Sequence, residues 1–567
     1  MNKKYTNSAS KKDTPISEYE FLLNCNKNYM NYTALTFEGR AKITYEELHD
    51  NIEKYARALY QKGIRKGDKI GILLENSPEA VYLYYALGII GSTRIGLSIY
   101  NNPYKMQRDF DMLKPQRIIA VNTMFNRIID PCKALNISPI IYSARNFDEK
   151  IETNGAENLR YIVETNKNGN LVINNFSNQD VTDIIFTGGS TGIHKGVELN
   201  QNGLNGVISA LDKVFKLEPG MIHLGNIPFG HMIFGRFALH YALSHNLEYA
   251  LTLNALPNEF LYELIRTQAH GAMGGPVHWN NIPNNPLLKP GCISNLMQAA
   301  TGGEMLKTAD EEKDNKAISY GGGSAKLTNM LGLTEMSGLT HACIPEINTP
   351  GTIGSPIPYV DDIIVDPKFL IGSESGNYIN LKEVPLGETG LLLTKGPGML
   401  LGYYNNPDET KKVFVYDQNG TKWYNTGDLV RRTGKPYKET EFAGRLKRNF
   451  VCGYDNIYPE QIEGLLTSLP EIKEIVVTKV KDAKYQFLPS YHICLNDTNI
   501  NIERLKNKID VLIEETLGAF ALPGYIEFST NPLPRNQDNG KFNATILEQQ
   551  DIKKYEDGTL TLSRKMY

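Results

Sequence analysis

Cysteine is scarce in this chain: six residues in 567, namely Cys25, Cys132, Cys292, Cys343, Cys452 and Cys494, with no CxxC pair and no histidine cluster beside them. That spacing argues against a disulfide framework and against a structural zinc site, and a reducing cytoplasm is the expected setting. Long apolar runs are missing as well. The opening MNKKYTNSASKKDTPISEYEF is polar and lacks the apolar core of a signal peptide. The most apolar early run, VYLYYALGIIGS at Val81–Ser92, is too short to cross a bilayer and follows the charged LLENSPEA, so a buried helix is expected there. No charge of one sign dominates: the formal net charge is −3, which gives no reason to expect nucleic acid or an anionic membrane as partner. Internal repeats and low-complexity tracts are also absent.

What remains is a globular composition, 41% hydrophobic and 22% charged, in a chain long enough for roughly two to four domains. Early on, helix and strand signals alternate. TYEELHDNIEKYARALYQKG sets Thr44 ahead of Glu47 at capping-box spacing and ends in glycine. DKIGILLEN reads as a buried strand, SPEAVYLYYALGIIG as a helix with proline in its first turn, and QRIIAV and SPIIYSA as short strands. This alternation predicts an α/β fold with mostly parallel sheets flanked by helices over residues 1–444. Within it, glycine- and proline-punctuated short strands suggest a small β-rich submodule at about 350–444. From 445 to 567, helical stretches such as YPEQIEGLLTSLP and NIERLKNKIDVLIEETLG alternate with strands such as IKEIVVTKV, predicting a small separate α+β domain.

One stretch has little side chain with which to build a core. FTGGSTGIHKGVELN, Phe186–Asn200, packs four glycines, two threonines, a serine and a lysine into its first eleven positions. It reads either as a tight surface turn or as a phosphate cradle, in which backbone N–H groups and hydroxyls close on an anion that a lysine neutralises. It is not a Walker loop, because Lys195 is followed by Gly196 rather than Ser or Thr.

TGGSTGIHKG does resemble the TSGTTGxPKG loop of the adenylate-forming superfamily, which includes acyl-CoA synthetases, luciferases and peptide-synthetase adenylation domains. The family's other blocks have counterparts in the same order: NIPFGHMIFG, TGGEML, MLGLTEMSG, GSPIP, PLGETGLLLTKGPGMLLGYYNNPDET, WYNTGDL, GRLKRNFVCGYDNIYPEQIE and LPRNQDNGKF. The resemblance implies that ATP and Mg²⁺ serve the chemistry, with a carboxylic acid activated as its adenylate and pyrophosphate released. Thr187, Ser190, Thr191 and Lys195 would then bind the β- and γ-phosphates, with Gly188, Gly189 and Gly192 admitting the backbone closely. It implies the strand turn Gly302–Gly303 and the segment Leu331–Gly332 beside the nucleotide, Thr334 at the α-phosphate, and Glu335 as catalytic carboxylate and metal ligand. Asp428 and Arg445 would hold the ribose and Lys541 would drive adenylation. His231 would border the acyl carboxylate and gate the thiol path. Lys447 would be the hinge about which the C-terminal domain, acting as a mobile lid, turns between two half-reactions.

Two positions depart from the family pattern. Leu331 stands where many relatives stack an aromatic on adenine. Tyr454 occupies the usual glycine position on the thiol path, with Gly453 one place earlier. No α-amino-binding aspartate is found in FGHMIFG, which favours a fatty or aryl acid over an amino acid. The expected activity is an acid–thiol ligase transferring the acyl group to coenzyme A. The alternative acceptor is the phosphopantetheine of an acyl or peptidyl carrier protein, and a non-catalytic nucleotide-binding homologue is the reading from another class. Arg236 and His278 could read a polar substituent on the acid or serve as structural contacts.

Overall fold

The structure is a computed structural model. It describes residues 16–560 apart from 39–40, 98–102, 145–154, 171–175, 188–194, 212–213, 230–231, 254–255, 304–305, 307, 345–346, 371–377, 447, 453–454, 483–485 and 537–540. Local signals account for many of its elements. Thr44 caps the helix Tyr45–Gln61, and its side chain and that of Glu47 each bond the other residue's backbone. Ser77 caps Pro78–Ile90, proline opens that helix, and Gly91 ends it in the left-handed region at φ 78°. Every residue of that helix except Glu79 is buried, as its apolar run predicts. Among the described residues no helix is long and apolar enough to cross a membrane, and all six cysteines are free thiols.

The fold is α/β, and the described strands form two large sheets and three smaller ones. In the first large sheet the strands Leu327–Leu331, Gln298–Gly302, Gly271–Gly274, Ile222–Gly225, Glu248–Leu251 and Thr33–Phe37 lie side by side in parallel. The second runs Gly402–Tyr403, Lys195–Leu199, Asp183–Thr187, Thr93–Gly96, Lys69–Leu73, Arg117–Val121, Ile140–Tyr142 and Glu157–Asn158. It is parallel except at its first two pairings. Strands buried on both faces read as continuous apolar runs, as KIGIL and RIIAV do. A third, six-stranded sheet takes Asp361–Val365, Gly390–Lys395, Lys422–Arg432 and Thr440–Arg445 among its strands.

Segment 350–444 does not serve one sheet alone. Ser355–Pro356 joins the first large sheet and Gly402–Tyr403 the second, so GYYNN packs against the glycine-loop hairpin and not within the smaller β unit. Beyond residue 449 the chain builds a core of its own. Ile462, Ile475, Val477, Tyr491, Ile493, Ile509 and Ile513 pack between helices and the sheet Ile472–Asp482, Gln486–Leu495 and Tyr525–Ser529.

Candidate active site

The glycine-rich stretch is the connection of a hairpin. Strands Asp183–Thr187 and Lys195–Leu199 pair antiparallel with Thr187 opposite Lys195, so residues 188–194 join two ends already held together. Gly188, Gly189, Ser190, Thr191 and Gly192 lie outside the described residues. Lys195 forms an ion pair with Glu409 on the helix Pro407–Val413, and its ammonium lies 5.1 Å over the Tyr403 ring. Tyr403 reaches that place because it pairs with Val197 in the same sheet. Its hydroxyl donates to Glu335 Oε1 at 3.0 Å. A lysine, an aromatic ring and a carboxylate thus form one continuous contact from the hairpin to the Thr334–Glu335 turn.

That turn is tight for a steric reason. After the strand Leu327–Leu331 the chain bends back so closely that a Cβ on Gly332 would meet Gly338 O at 1.9 Å, a distance no side chain tolerates. Thr334–Met336 form a single 3₁₀ turn, and Leu400 N donates to Glu335 O at 2.8 Å. Leu331 packs against the apolar cluster of Ile353, Ile364, Leu392 and Val430. Gly302 closes the neighbouring strand in register with Met330, and Gly303 follows it.

Asp428 is fully buried and sits opposite Arg445 in the register of its sheet. Arg445 Nε lies 2.8 Å from Oδ1, yet neither carboxylate oxygen has a well-aligned hydrogen bond among the described residues. Burial pushes the carboxyl up to about 6 against the pull of Arg445, with Glu335 and Glu460 adding negative field. A buried acceptor pair without a well-aligned donor among the described residues is suited to a ligand diol that supplies two. One prediction follows from the direction of the shift. A carboxyl whose folded value lies above its ordinary 3.8 stabilises the fold at low pH and loses that contribution as pH rises through about 6. Asp428→Asn is therefore expected to stabilise the nucleotide-free protein by about 1–3 kcal/mol at pH 7, while weakening nucleotide binding. Urea titrations at pH 7 and pH 5, where the gap should narrow, and calorimetric titration with AMP test the two halves.

From the C-terminal unit, Lys541 Nζ donates to Gly303 O at 2.7 Å, which brings it to the turn after the strand Gln298–Gly302. Its loop is braced by Asn536 N on Lys541 O and Asn543 N on Pro534 O, both at 2.8 Å. The helix Ala544–Glu556 then follows, anchored through Asp551 to the buried His492 at 2.9 Å. The hinge position Lys447, the thiol-path residues Gly453 and Tyr454, and His231 lie outside the described residues.

Arg236 is no reader of substrate. It is fully buried and ion-paired with Glu18 and Asp183, because the helix Met232–Ser244 turns it inward. The ring of His278 meets Phe260 edge-on with centroids 5.4 Å apart. Tyr403 and Glu409 carry no signal of their own in the sequence, where they stand inside the block GYYNNPDET. Neither does Asn76, whose Nδ2 donates to the carbonyls of Gly225, Ile227 and Thr252 at 3.1–3.2 Å. Asn76 Oδ1 accepts from Phe229 N at 3.0 Å. This side chain ties the ends of both large sheets to the segment that precedes His231, and a single asparagine in LLENSPEA carries no signal of that.

A carboxylate at Glu335 fits Mg²⁺ in one specific way. Among the described residues no group of three or more His, Cys, Asp or Glu could hold a metal. An ion here would take one carboxylate from the protein and its other ligands from phosphate and water, the usual manner of Mg²⁺ with nucleotides.

Known proteins resemble this chain in sequence and in fold. The profile of the AMP-binding enzyme family matches residues 23–404. A long-chain-fatty-acid–CoA ligase of Bacillus subtilis (strain 168) is 26% identical over 551 residues, spanning 91% of this chain and 92% of that protein. Bacitracin synthase 3 of Bacillus licheniformis is 26% identical over 515 residues, which cover 89% of this chain and 7% of that synthase. The crystal structure of ATP-bound MatB from Rhodopseudomonas palustris has the same fold, with a TM-score of 0.80 at 19% identity over 96% of this chain and 100% of that one.

Proposed function

The chain belongs to the AMP-binding enzyme family, and from that premise we propose that it is an ATP-dependent acid–thiol ligase acting on a fatty or aryl carboxylic acid. The observations that support this reading are three contacts: Tyr403 linking Lys195 to Glu335, Asp428 facing Arg445, and Lys541 on Gly303. In the first step a carboxylate oxygen bonds the α-phosphorus of ATP, the bond to the bridging oxygen breaks, and pyrophosphate leaves. Lys195, Thr187 and the hairpin connection would neutralise the β- and γ-phosphates. Thr334 and Lys541 would steady the α-phosphate as charge shifts, and Asp428 and Arg445 would fix the ribose. Glu335 would hold Mg²⁺, which would supply charge neutralisation at the phosphates. In the second step a thiol sulfur loses its proton to solvent and bonds the acyl carbon, the bond from that carbon to the phosphate oxygen breaks and AMP departs, with the C-terminal domain turning about Lys447 between the steps.

Coenzyme A is the preferred acceptor, in line with the similarity to the Bacillus subtilis ligase along nearly all of both chains. The likeness to a segment of bacitracin synthase 3 supports a second reading. In it the thiol is the phosphopantetheine of a carrier protein. Acid-dependent exchange of labelled pyrophosphate into ATP, screened over fatty, aryl and short dicarboxylic acids, tests the first step. AMP release with coenzyme A or a holo carrier protein then separates the acceptors. No exchange with any acid, and none distinguishing Lys541→Ala from wild type, would leave a non-catalytic nucleotide-binding protein.

A further inference from the structure

We infer that Glu409 is a positioning residue: a built-in anion that occupies Lys195 until the phosphates of a nucleotide take its place. The inference rests on the nucleotide reading above and assigns Glu409 a part in it. Lys195 is only 18% exposed, and its ammonium is already committed to the Glu409 carboxylate and the face of Tyr403. Glu409 is shared between two cations, since Lys412 Nζ lies 2.5 Å from its other oxygen. The hydrogen bonds from Lys195 and Lys412 hold its carboxyl at about 2, so it is an anion across the whole working range of pH. It is carried on a helix fixed independently of the ligand: Asn406 caps that helix, and Thr410 Oγ1 accepts from Tyr403 N at 2.8 Å.

The consequence is competition. Lys195 stands at the last register position of the hairpin, opposite Thr187, so a nucleotide phosphate bound at Lys195 and Glu409 draw on the same ammonium. With Lys195 free only part of the time, the apparent affinity for triphosphate and pyrophosphate falls by the unpaired fraction. Lys412 offsets this by keeping Glu409 partnered when Lys195 leaves. A phosphate clamp that gives up pyrophosphate easily is useful where pyrophosphate release must precede entry of the thiol.

The test is calorimetric binding of ATP, pyrophosphate and AMP to the full-length chain, its Glu409→Gln and Glu409→Ala variants, and Asp408→Asn as a charge control. Asp408 is an exposed neighbour on the same helix that removes the same charge without touching Lys195. Both Glu409 variants are expected to bind ATP and pyrophosphate about threefold to tenfold more tightly. Their AMP affinity stays unchanged, pyrophosphate becomes a stronger product inhibitor, and the ATP KM falls together with kcat. Unchanged or weaker pyrophosphate binding in the Glu409 variants, or equal tightening in Asp408→Asn, overturns the inference while leaving the nucleotide reading intact. Wild-type protein that binds neither ATP nor pyrophosphate overturns both.

Discussion

Lys541→Ala is expected to lower acid-dependent pyrophosphate exchange by about 10²–10³-fold, the scale on which one preorganised donor at a developing anion acts. The geometry makes the lysine costly to lose and easy to remove. Lys541 is exposed and donates into the turn after a strand, at Gly303 O, 2.7 Å away. Truncation therefore leaves no buried cavity, and the loop remains braced through Asn536 and Asn543. The loss should fall on kcat with the ATP Kd moving little, because a cation aimed at charge that develops in the transition state contributes little to ground-state binding. Transfer to the thiol from a supplied acyl-adenylate should survive if, as proposed above, the C-terminal domain turns between the two steps and carries Lys541 away. Rapid-quench measurement of each half-reaction separates these outcomes. Equal loss in both would mean that Lys541 acts by docking the C-terminal unit and not on the phosphate.

How far the sequence reaches depends on the range of the interaction. The capping box at Thr44–Glu47, the proline-led helix Pro78–Ile90 and the strand KIGIL were legible because each signal lies within a few residues of the structure it sets. The hairpin was legible as a loop, and its chemistry came from resemblance. Gly402–Tyr403 was not legible as an edge strand of the second large sheet: two residues have no periodicity, and pairing with Val197 is a matter of tertiary register. Tyr403, Glu409 and Asn76 escaped for the same reason. Their roles exist only when segments distant in sequence meet, and a single tyrosine, glutamate or asparagine carries no trace of its partner. Arg236 stands open in the sequence between substrate contact and salt bridge, and the choice is settled by packing, which turns its helix so that the side chain meets Glu18 and Asp183.

That buried arginine belongs to the site of the largest expected stability effect. Arg94 bonds Asp183 bidentately at 2.9 and 2.7 Å and reaches Glu18 at 3.2 Å; Arg236 meets Glu18 at 2.6 Å and Asp183 at 3.3 Å. Tyr84 donates to Glu18 at 2.8 Å. All four charged side chains are at most 1% exposed, and two positive charges face two negative. Arg94→Met leaves two carboxylates sharing one guanidinium out of water, and it is expected to destabilise the fold by about 3–5 kcal/mol. Burial pushes Glu18 up, but Arg94 and Arg236 overcome it and hold the carboxyl below its ordinary range. Its contribution is therefore present above the ordinary carboxylate value and lost as pH falls below it. Arg94→Met should flatten that acid limb as well as lower the urea midpoint at pH 7. The effect should also reach the active site, because Asp183 opens the strand that ends at Thr187. A weakened anchor at one end of five residues loosens the hairpin at the other, so the ATP KM should rise in protein that is still folded. If stability drops while the ATP KM stays at the wild-type value, the cluster holds the N-terminal helix Glu18–Asn26 in place and has no mechanical link to the phosphate hairpin.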